Sequence, residues 1–318
     1  MRAALRRLFA EVTGYAARWS SRRAGLALVY HRVGDPEGDP RCELVPALGT
    51  VAFERQLRHL RSRYRTVSAS ELLNAVASRR RGQRFPVAIT FDDDLASHRT
   101  VAGPTLRRLG LTATFFLSGA SLEHPFRFWW ERLQDAVDRG LDVEQEVLAG
   151  IPVTEPTGQG RERIHGLAAT IQELPSEQHR EVSRRLEALV GPDPADSGMR
   201  AEDVVWLVEA GFEVGFHTRT HPYLPRLDDE ELEDALTAGR KKLADVTGRP
   251  PRSIAYPHGG TDARVQAAAG ACGFGTGYTL VPGAVTESTD PLSIGRSDPR
   301  NDGGVGFATY VAWRLRQA

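Results

Sequence analysis

FPVAITFDDD, from Phe85 to Asp94, is an apolar run rich in strand-forming residues that ends in three consecutive aspartates. A continuous apolar run of this length predicts a strand buried on both faces, as in a parallel sheet. Three acids directly after such a strand are costly to bury without a counter-charge. They therefore indicate either a cation site or an Asp-rich turn that caps the next helix.

The pattern on either side of this strand alternates between strand and helix. Further strand-like runs lie at 25–31, 66–67, 112–119, 212–217, 252–260, 277–280 and 292–295. Segments with apolar residues at helical spacing separate these strands. They include a helix for which Ser70 is the predicted N-cap and one long helix over 229–248. Strand, helix and strand in series predict parallel strands.

Polar residues directly follow several of these strands. They are His31, Asp92, Asp93, His217, Pro257 and His258. In a parallel barrel all strand ends share one face, where active sites gather, whereas an open sheet places ligands only near its switch point. The pattern therefore predicts an α/β fold of the (β/α) barrel type, TIM-barrel-like, with an open doubly wound sheet as the alternative.

The middle of the chain, 121–200, lacks this alternation. It holds FRFWWERLQDAVDRG and a charged helical run, RERIHGLAATIQELPSEQHREVSRRLEALV, with few strand signals. We expect a helical insertion on the barrel and not a separate domain. The predicted organisation is a basic helix or tail over 1–24, followed by a single domain over 25–318 that contains the insertion at 121–200.

Charge and hydropathy exclude some classes of protein. Basic and acidic residues number 41 each among 318 residues, which argues against a dedicated nucleic-acid binder. Arginines interrupt every apolar run near the N-terminus, so neither a signal peptide nor a transmembrane helix is predicted. Apolar residues at helical spacing among arginines in 1–24 favour a surface helix or tail, with weak peripheral membrane contact as the alternative. The predicted location is the cytoplasm or the periphery of the inner membrane.

Two histidines, His217 and His221, lie four residues apart directly after a predicted strand. On a helical turn such side chains point the same way, although Pro222 predicts a short or irregular turn. Two imidazoles and a carboxylate form a common ligand set for a divalent ion. The alternative is a pair of surface histidines at chance spacing.

A third polar stretch, SIAYPHGG, places a proline and two glycines at a strand end. Such a tight turn can present backbone N–H groups to a developing oxyanion, or it can simply connect a strand to a helix. Taken with TFDD and HTRTH, its AYPHG resembles the motif series of the polysaccharide deacetylases of carbohydrate esterase family 4, which include chitooligosaccharide deacetylases. The likeness extends over 26–297, and LALVYHRVG and FWWERL are similar to exopolysaccharide and cell-envelope members.

This resemblance implies a distorted (β/α) barrel of seven or eight strands that removes acetyl groups from an N-acetylated oligo- or polysaccharide. It implies a divalent metal, usually zinc with cobalt as the alternative, held by Asp93, His217 and His221. It also implies Asp92 as the general base. The implied substrate or oxyanion contacts lie in the turn of Tyr256, Pro257 and His258.

The chain departs from the family pattern at three points. Asp94 stands where the first motif usually has glycine, and Ala255 stands where an arginine often orients the base. PLSIGRSDPRND contains no histidine, so the usual general acid is missing, and His31 is our candidate for that role or for a substrate contact. These departures leave two alternatives, a hydrolase of another small amide and a catalytically silent carbohydrate-binding protein. For the aromatic group in FRFWW we expect apolar cover of the insertion more than sugar stacking.

Overall fold

The computed structural model describes residues 19–35, 42–151, 161–299 and 306–318, and its core is one strongly curled sheet. All strand pairs are parallel except that of the first strand with the eighth. The strands are β1 (Ala24–Tyr30), β2 (Arg65–Val67), β3 (Pro86–Asp92), β4 (Thr114–Leu117), β5 (Glu213–Phe216), β6 (Ser253–Ala255), β7 (Thr276–Tyr278), β8 (Val285–Thr286) and β9 (Arg296–Ser297).

The centre of the sheet is the pair of β1 and β3, which are buried at every position. Their register places Tyr30 beside Phe91. The Phe91 ring stacks on those of Tyr30 and Phe115, at centroid distances of 5.4 and 4.7 Å. Burial of both strand faces explains why the sequence shows continuous apolar runs instead of alternation.

Residues before and within β9 connect the two edges of the curled sheet. Ile294 donates to the Gly277 carbonyl at 2.8 Å beside β7, and its own carbonyl accepts from Thr279 at 2.8 Å. Two residues later β9 pairs with β1, with Arg296 opposite Ala27. This connection closes the sheet, and the predicted (β/α) barrel is confirmed.

The helices surround this sheet and extend into the middle segment. They are α1 (Thr50–Arg63), α2 (Leu72–Ala77), α3 (Gly103–Leu109), α4 (Trp129–Asp138), α5 (Val143–Glu146), α6 (Arg161–Gln172), α7 (Ser176–Val190), α8 (Ala201–Glu209), α9 (Asp229–Thr237), α10 (Arg240–Thr247), α11 (Ala263–Ala271) and α12 (Phe307–Arg316). Short π and 3-10 turns lie at His98–Ala102, Leu224–Arg226 and Pro257–Gly259.

Two of the predicted helix boundaries are wrong. The long helix over 229–248 is two helices, because Gly239 adopts a left-handed φ of 82° and breaks the helical hydrogen-bond ladder between α9 and α10. Ser70 is not an N-cap, since α2 begins at Leu72 and Glu71 precedes it. Both errors follow from tertiary context, which overrides local spacing.

Helices α4 to α7 lie within 121–200 and pack into a cluster of their own, separate from the main barrel core. Asp193 joins this cluster to the chain before α4: its carboxylate accepts from Arg127 Nε at 3.0 Å and from Arg132 Nη2 at 2.7 Å. The basic segment predicted over 1–24 lies mostly outside the described residues. No helix in the described part of the chain is long and apolar enough to span a membrane.

Candidate metal centre

Three buried side chains meet at the carboxyl end of the sheet. Asp93 follows β3, and His217 and His221 follow β5. The Asp93 Oδ1 atom lies 3.6 Å from Nε2 of His217 and 3.7 Å from Nε2 of His221. The two imidazole Nε2 atoms are 3.1 Å apart. One ligand atom from each residue therefore points to a common position.

A main-chain contact fixes the orientation of the first histidine. Its Nδ1 lies 2.8 Å from the carbonyl oxygen of Ala255, at the end of β6. A carbonyl can only accept, so Nδ1 carries the proton and the lone pair of Nε2 points to Asp93 and His221. This is the arrangement by which proteins hold a metal-ligating imidazole.

Left-handed backbone conformations are concentrated here. In the described part of the chain, the non-glycine residues with positive φ are Asp93 (73°), Thr218 (54°), His221 (52°) and His258 (57°). His217 and His221 are therefore brought together by a bent loop and not by the helical turn that their spacing suggested. Such conformations each cost on the order of 1 kcal/mol and gather at functional sites.

The electrostatics of this group fit a cation. Burial raises the pKa of Asp93 well above its usual value, and the charges of Asp92 and Glu131 raise it further. Burial also lowers the pKa of His217 and, more strongly, of His221. Oδ1 of Asp93 is buried without a hydrogen-bond partner. Neutral imidazoles and an unpaired carboxylate oxygen are the donor set of a divalent ion such as zinc, so these residues fit the implied metal.

Asp92 is held on the other side of the same position by a buried arginine. Arg296 Nη1 and Nη2 donate to its two carboxylate oxygens at 2.6 Å each, and the guanidinium is fully buried. Burial alone would raise the pKa of Asp92, but Arg296 outweighs it and, with His217, lowers the pKa to about 2. Oδ2 lies 4.0 Å from Nε2 of His217, so an ionised carboxylate stands directly beside the proposed ligands.

Arg296 was missed in the sequence. Ala255 occupies the position where the family resemblance implies an orienting arginine, and the segment around β9 contains no histidine. The barrel supplies an arginine from another strand, since β9 pairs with β1 and β1 with β3. The sequence does carry a signal for Arg296, which is a lone arginine directly after the apolar run LSIG. An arginine buried at the end of such a strand needs an anionic partner.

A family model described as Polysaccharide deacetylase matches residues 79–146 and 181–277, just over half of the chain, and these ranges contain Asp92, Asp93, His217 and His221 but not Arg296. The chain belongs to the polysaccharide deacetylase family. The predicted family, whose members are hydrolases of C–N bonds, is thus confirmed. YxkH of Bacillus subtilis, which carries a polysaccharide deacetylase name, is 25% identical over 108 residues, or 34% of this chain and 39% of YxkH. The alignment therefore spans well under half of that curated relative.

Solved structures of deacetylases share the fold. The deacetylase PplD of Streptococcus pyogenes, in complex with acetate, superposes with a TM-score of 0.62 at 14% identity, covering 92% of this chain and 98% of PplD. IcaB of Ammonifex degensii gives a TM-score of 0.58 at 18% identity, covering 91% of this chain and 97% of IcaB. At these identities the likeness concerns the fold, and it agrees with the distorted barrel described above.

In this polysaccharide deacetylase, Asp94 stands where the family usually has glycine, and its side chain makes structural hydrogen bonds. The buried carboxylate of Asp94 accepts from the backbone N–H and hydroxyl of Ser118, at 2.7 and 2.6 Å. It also accepts from the Ala120 N–H at 3.1 Å and the Ser121 hydroxyl at 3.3 Å. Asp94 therefore fixes the loop after β4, and the left-handed φ that glycine would favour lies one residue earlier, at Asp93.

The turn after β6 contains the three predicted substrate or oxyanion contacts, Tyr256, Pro257 and His258, and each has different surroundings. Tyr256 donates its backbone N–H to the Tyr278 carbonyl at 3.0 Å and its hydroxyl to the Leu292 carbonyl at 2.9 Å, so neither group is available to substrate. Pro257 has no N–H and begins the 3-10 turn. The His258 ring, in contrast, lies 4.5 Å from the His221 ring, and burial lowers its pKa to about 4.

His31 directly follows β1 and is half-buried. The register of β1 with β3 places it level with Asp92, at the same edge of the sheet. Its carbonyl oxygen lies 3.2 Å from Nε2 of His98. His31 thus stands at the site without belonging to the group of metal ligands.

Aromatic residues of α4 and the residue before it cover the ligand side of the site. Trp130 stacks on Phe128 at 4.4 Å, and the rings lie 4.5 and 5.5 Å from that of His221. A cavity of about 750 Å³ is lined by Trp130 and Glu131. A second, of about 430 Å³, is lined by Trp129 and His221. The insertion therefore forms one wall of the site.

Proposed function

We propose that this chain is a metal-dependent hydrolase that removes acetyl groups from the N-acetylated sugars of an oligo- or polysaccharide. The observation that carries the proposal is the buried group of Asp93, His217 and His221 with the ionised Asp92 beside it. A pure binding protein has no need of a carboxylate held ionised next to a cation site. Membership of the polysaccharide deacetylase family supports the same reaction.

Each residue of the group has a chemical task in this proposal. A divalent ion, zinc with cobalt as the alternative, supplies Lewis acidity toward the acetamide carbonyl and a water when it is bound. Asp93, His217 and His221 hold the ion. Asp92 accepts the proton of the attacking water, and Arg296 keeps that carboxylate ionised and aimed at the site through two hydrogen bonds.

The proton donor for the leaving amine is His31 in this proposal. His258 also lies near the ligands, but burial lowers its pKa to about 4, so it is neutral at neutral pH and carries no proton to spare. We propose His258 and Pro257, and no longer Tyr256, as substrate contacts in the turn after β6. Both polar groups of Tyr256 already donate to backbone carbonyls.

A polymeric substrate is favoured over a small amide by the shape of the site. Two cavities, of about 750 and 430 Å³, are both lined by Phe128, and each is larger than an acetamide group needs. Sugars flanking the one that reacts can occupy them. We accordingly propose a single catalytic domain over 25–318, in which the insertion at 121–200 shapes the glycan site. The location, cytoplasmic or peripheral at the inner membrane, stays a prediction, as does the absence of a signal peptide.

The test compares acetate release with metal content. The zinc- or cobalt-loaded protein is incubated with N-acetylated chitooligosaccharides, beside Asp92→Asn, His217→Ala and the exposed control Asp245→Asn. We expect Asp92→Asn to keep its metal and to lose activity by roughly 10³-fold, His217→Ala to lose both, and the control to lose neither.

Three outcomes contradict the proposal. Full metal content in His217→Ala would remove the ligand assignment. Glycan binding without acetate release from any acetylated sugar would identify a catalytically silent carbohydrate-binding protein, and acetate release from small amides alone would identify the related amide hydrolase.

A further inference from the structure

The end of the barrel opposite the metal group carries an unusual density of exposed arginines. We name this surface the arginine end. Its members are Arg22, Arg23, Arg61, Arg65, Arg80, Arg81, Arg84 and Arg316. The whole chain has no net charge, so this local excess of positive charge is a feature of one surface and not of the composition.

Strand register and hydrogen bonds show that these residues share one end. Arg22 and Arg23 directly precede β1, and Arg65 begins β2 opposite Pro86, the first residue of β3. Since these strands are parallel, their first residues lie at the amino edge of the sheet, while Asp92 and Asp93 lie at the carboxyl edge.

Side chains join the remaining members to this edge. Arg84 Nη1 donates to the Arg61 carbonyl at 3.0 Å, and Arg22 Nη1 donates to the Arg316 carbonyl at 3.0 Å. The buried Arg79 donates to the carbonyls of Ser20 and Arg22, which fixes the loop holding Arg80 and Arg81 against the chain before β1. The arginine end is therefore one continuous surface.

Almost none of this charge is neutralised. Among the residues that the structure describes, only Arg23 of the arginine end is paired with a carboxylate, that of Glu287 at 2.7 Å. Elsewhere on the surface, arginines are commonly paired, as Arg58 and Arg108 are with Glu54. An uncompensated cluster of guanidinium groups attracts a polyanionic surface.

Two exposed tryptophans accompany the arginines. Trp19 is 52% exposed and its ring lies against Gly82, in the loop that holds Arg80 and Arg81. Trp313 is 49% exposed and lies one turn before Arg316 on α12. In the described part of the chain these are the exposed tryptophans, and both lie beside the arginine end. Exposed tryptophan among basic residues is characteristic of a surface that meets the lipid–water interface.

We propose that the arginine end docks on an anionic phospholipid bilayer. A lipid surface is favoured over nucleic acid because the sequence leading into Trp19 combines four arginines with Leu5, Leu8, Phe9 and Val12 at helical spacing, the composition of an interfacial helix. Docked in this way, the barrel presents its carboxyl edge, with the metal group, away from the lipid. The proposal does not depend on the chemistry of that group.

Vesicle binding tests this directly. The full chain is sedimented with phosphatidylcholine vesicles with and without phosphatidylglycerol, at low salt and at about 1 M salt. We expect binding only to the anionic vesicles, lost at high salt. Arg80→Gln/Arg81→Gln should bind roughly thirtyfold more weakly, since each arginine near an anionic surface contributes about a factor of five. The charge-matched control Lys241→Gln/Lys242→Gln, at the start of α10 near the carboxyl edge, should bind as the parent does.

Tryptophan fluorescence supplies a second measurement. Anionic vesicles should shift the emission to shorter wavelength, and Trp19→Phe should reduce that shift. The proposal is overturned if the chain binds neutral and anionic vesicles equally. It is also overturned if the double arginine variant and the double lysine variant lose the same amount of vesicle binding. Tighter binding to duplex DNA than to anionic vesicles at the same salt would overturn it as well. Acetate release from a soluble chitooligosaccharide, if present, should be the same in all these variants.

Discussion

The barrel site and the helical insertion use buried charge in different ways. At the barrel site Asp92 ends β3 and Asp93 follows it, and each has its own environment: Arg296 for the first, two imidazoles for the second. In the insertion, Asp193 is surrounded by two arginines and serves only to hold the helices to the chain before α4. The first arrangement leaves an unpaired oxygen facing a common position, whereas the second leaves none.

The barrel residues and the insertion also reach the site through different kinds of contact. Strand ends fix the barrel residues through main-chain contacts, such as that of His217 with the Ala255 carbonyl. The insertion reaches the site through ring contacts of Phe128 and Trp130 on His221. We therefore expect changes in the barrel residues to affect both stability and reaction, and changes in the insertion to affect stability, metal retention or glycan binding.

The largest effect is expected from Arg296→Met. It removes the partner of a fully buried carboxylate, so the free energy of unfolding should fall by about 3–5 kcal/mol, measured by urea denaturation. Arg296→Lys keeps a charge but not both hydrogen bonds and should lie between this variant and the parent. The exposed control Arg58→Met should cost less than about 1 kcal/mol. An unchanged urea midpoint in Arg296→Met would show that Asp92 does not depend on this arginine.

Asp193→Ala probes the other charge cluster and should cost about 2–3 kcal/mol, because it removes charge-assisted hydrogen bonds from Arg127 and Arg132. Metal content should remain. The control Asp245→Ala breaks an exposed ion pair with Lys241 and should cost less than about 1 kcal/mol. Loss of metal in Asp193→Ala would show that the insertion and the barrel site do not separate as described.

Asp193 should also make the free energy of unfolding depend on pH. Burial raises the pKa of Asp193, but Arg132 and Arg127 outweigh it, so its pKa lies below the usual 3.8. A lowered folded pKa stabilises the protein above the unfolded pKa, and this stability is lost as pH falls through the lowered value. The parent should therefore lose stability in acid below about pH 4 more steeply than Asp193→Ala, as measured by urea midpoints across that range.

The sequence was sufficient for the barrel and for the group of Asp93, His217 and His221, because apolar strands and polar strand ends are local patterns. It was insufficient for Arg296, since which strand closes the barrel is a property of the whole sheet. It also misled on Tyr256, whose N–H is taken by a neighbouring strand that local turn chemistry does not show. For 229–248, the break at Gly239 depends on a loop packed beside it, near Ser118 and Arg219.

The smallest effect is expected at Trp130, where the insertion meets the barrel site. Its indole is 7% exposed and packs on the His221 ring, so its task in this interpretation is to keep water from a metal ligand and to hold that ring. Trp130→Ala should weaken metal affinity about tenfold in a chelator competition, as loss of a ligand's outer support does, while Trp130→Phe should retain most of it. Trp206→Phe, on α8, is the matched control. If Trp130→Ala instead keeps its metal affinity and raises KM for the glycan, then the Trp130 ring contacts sugar and does not support His221.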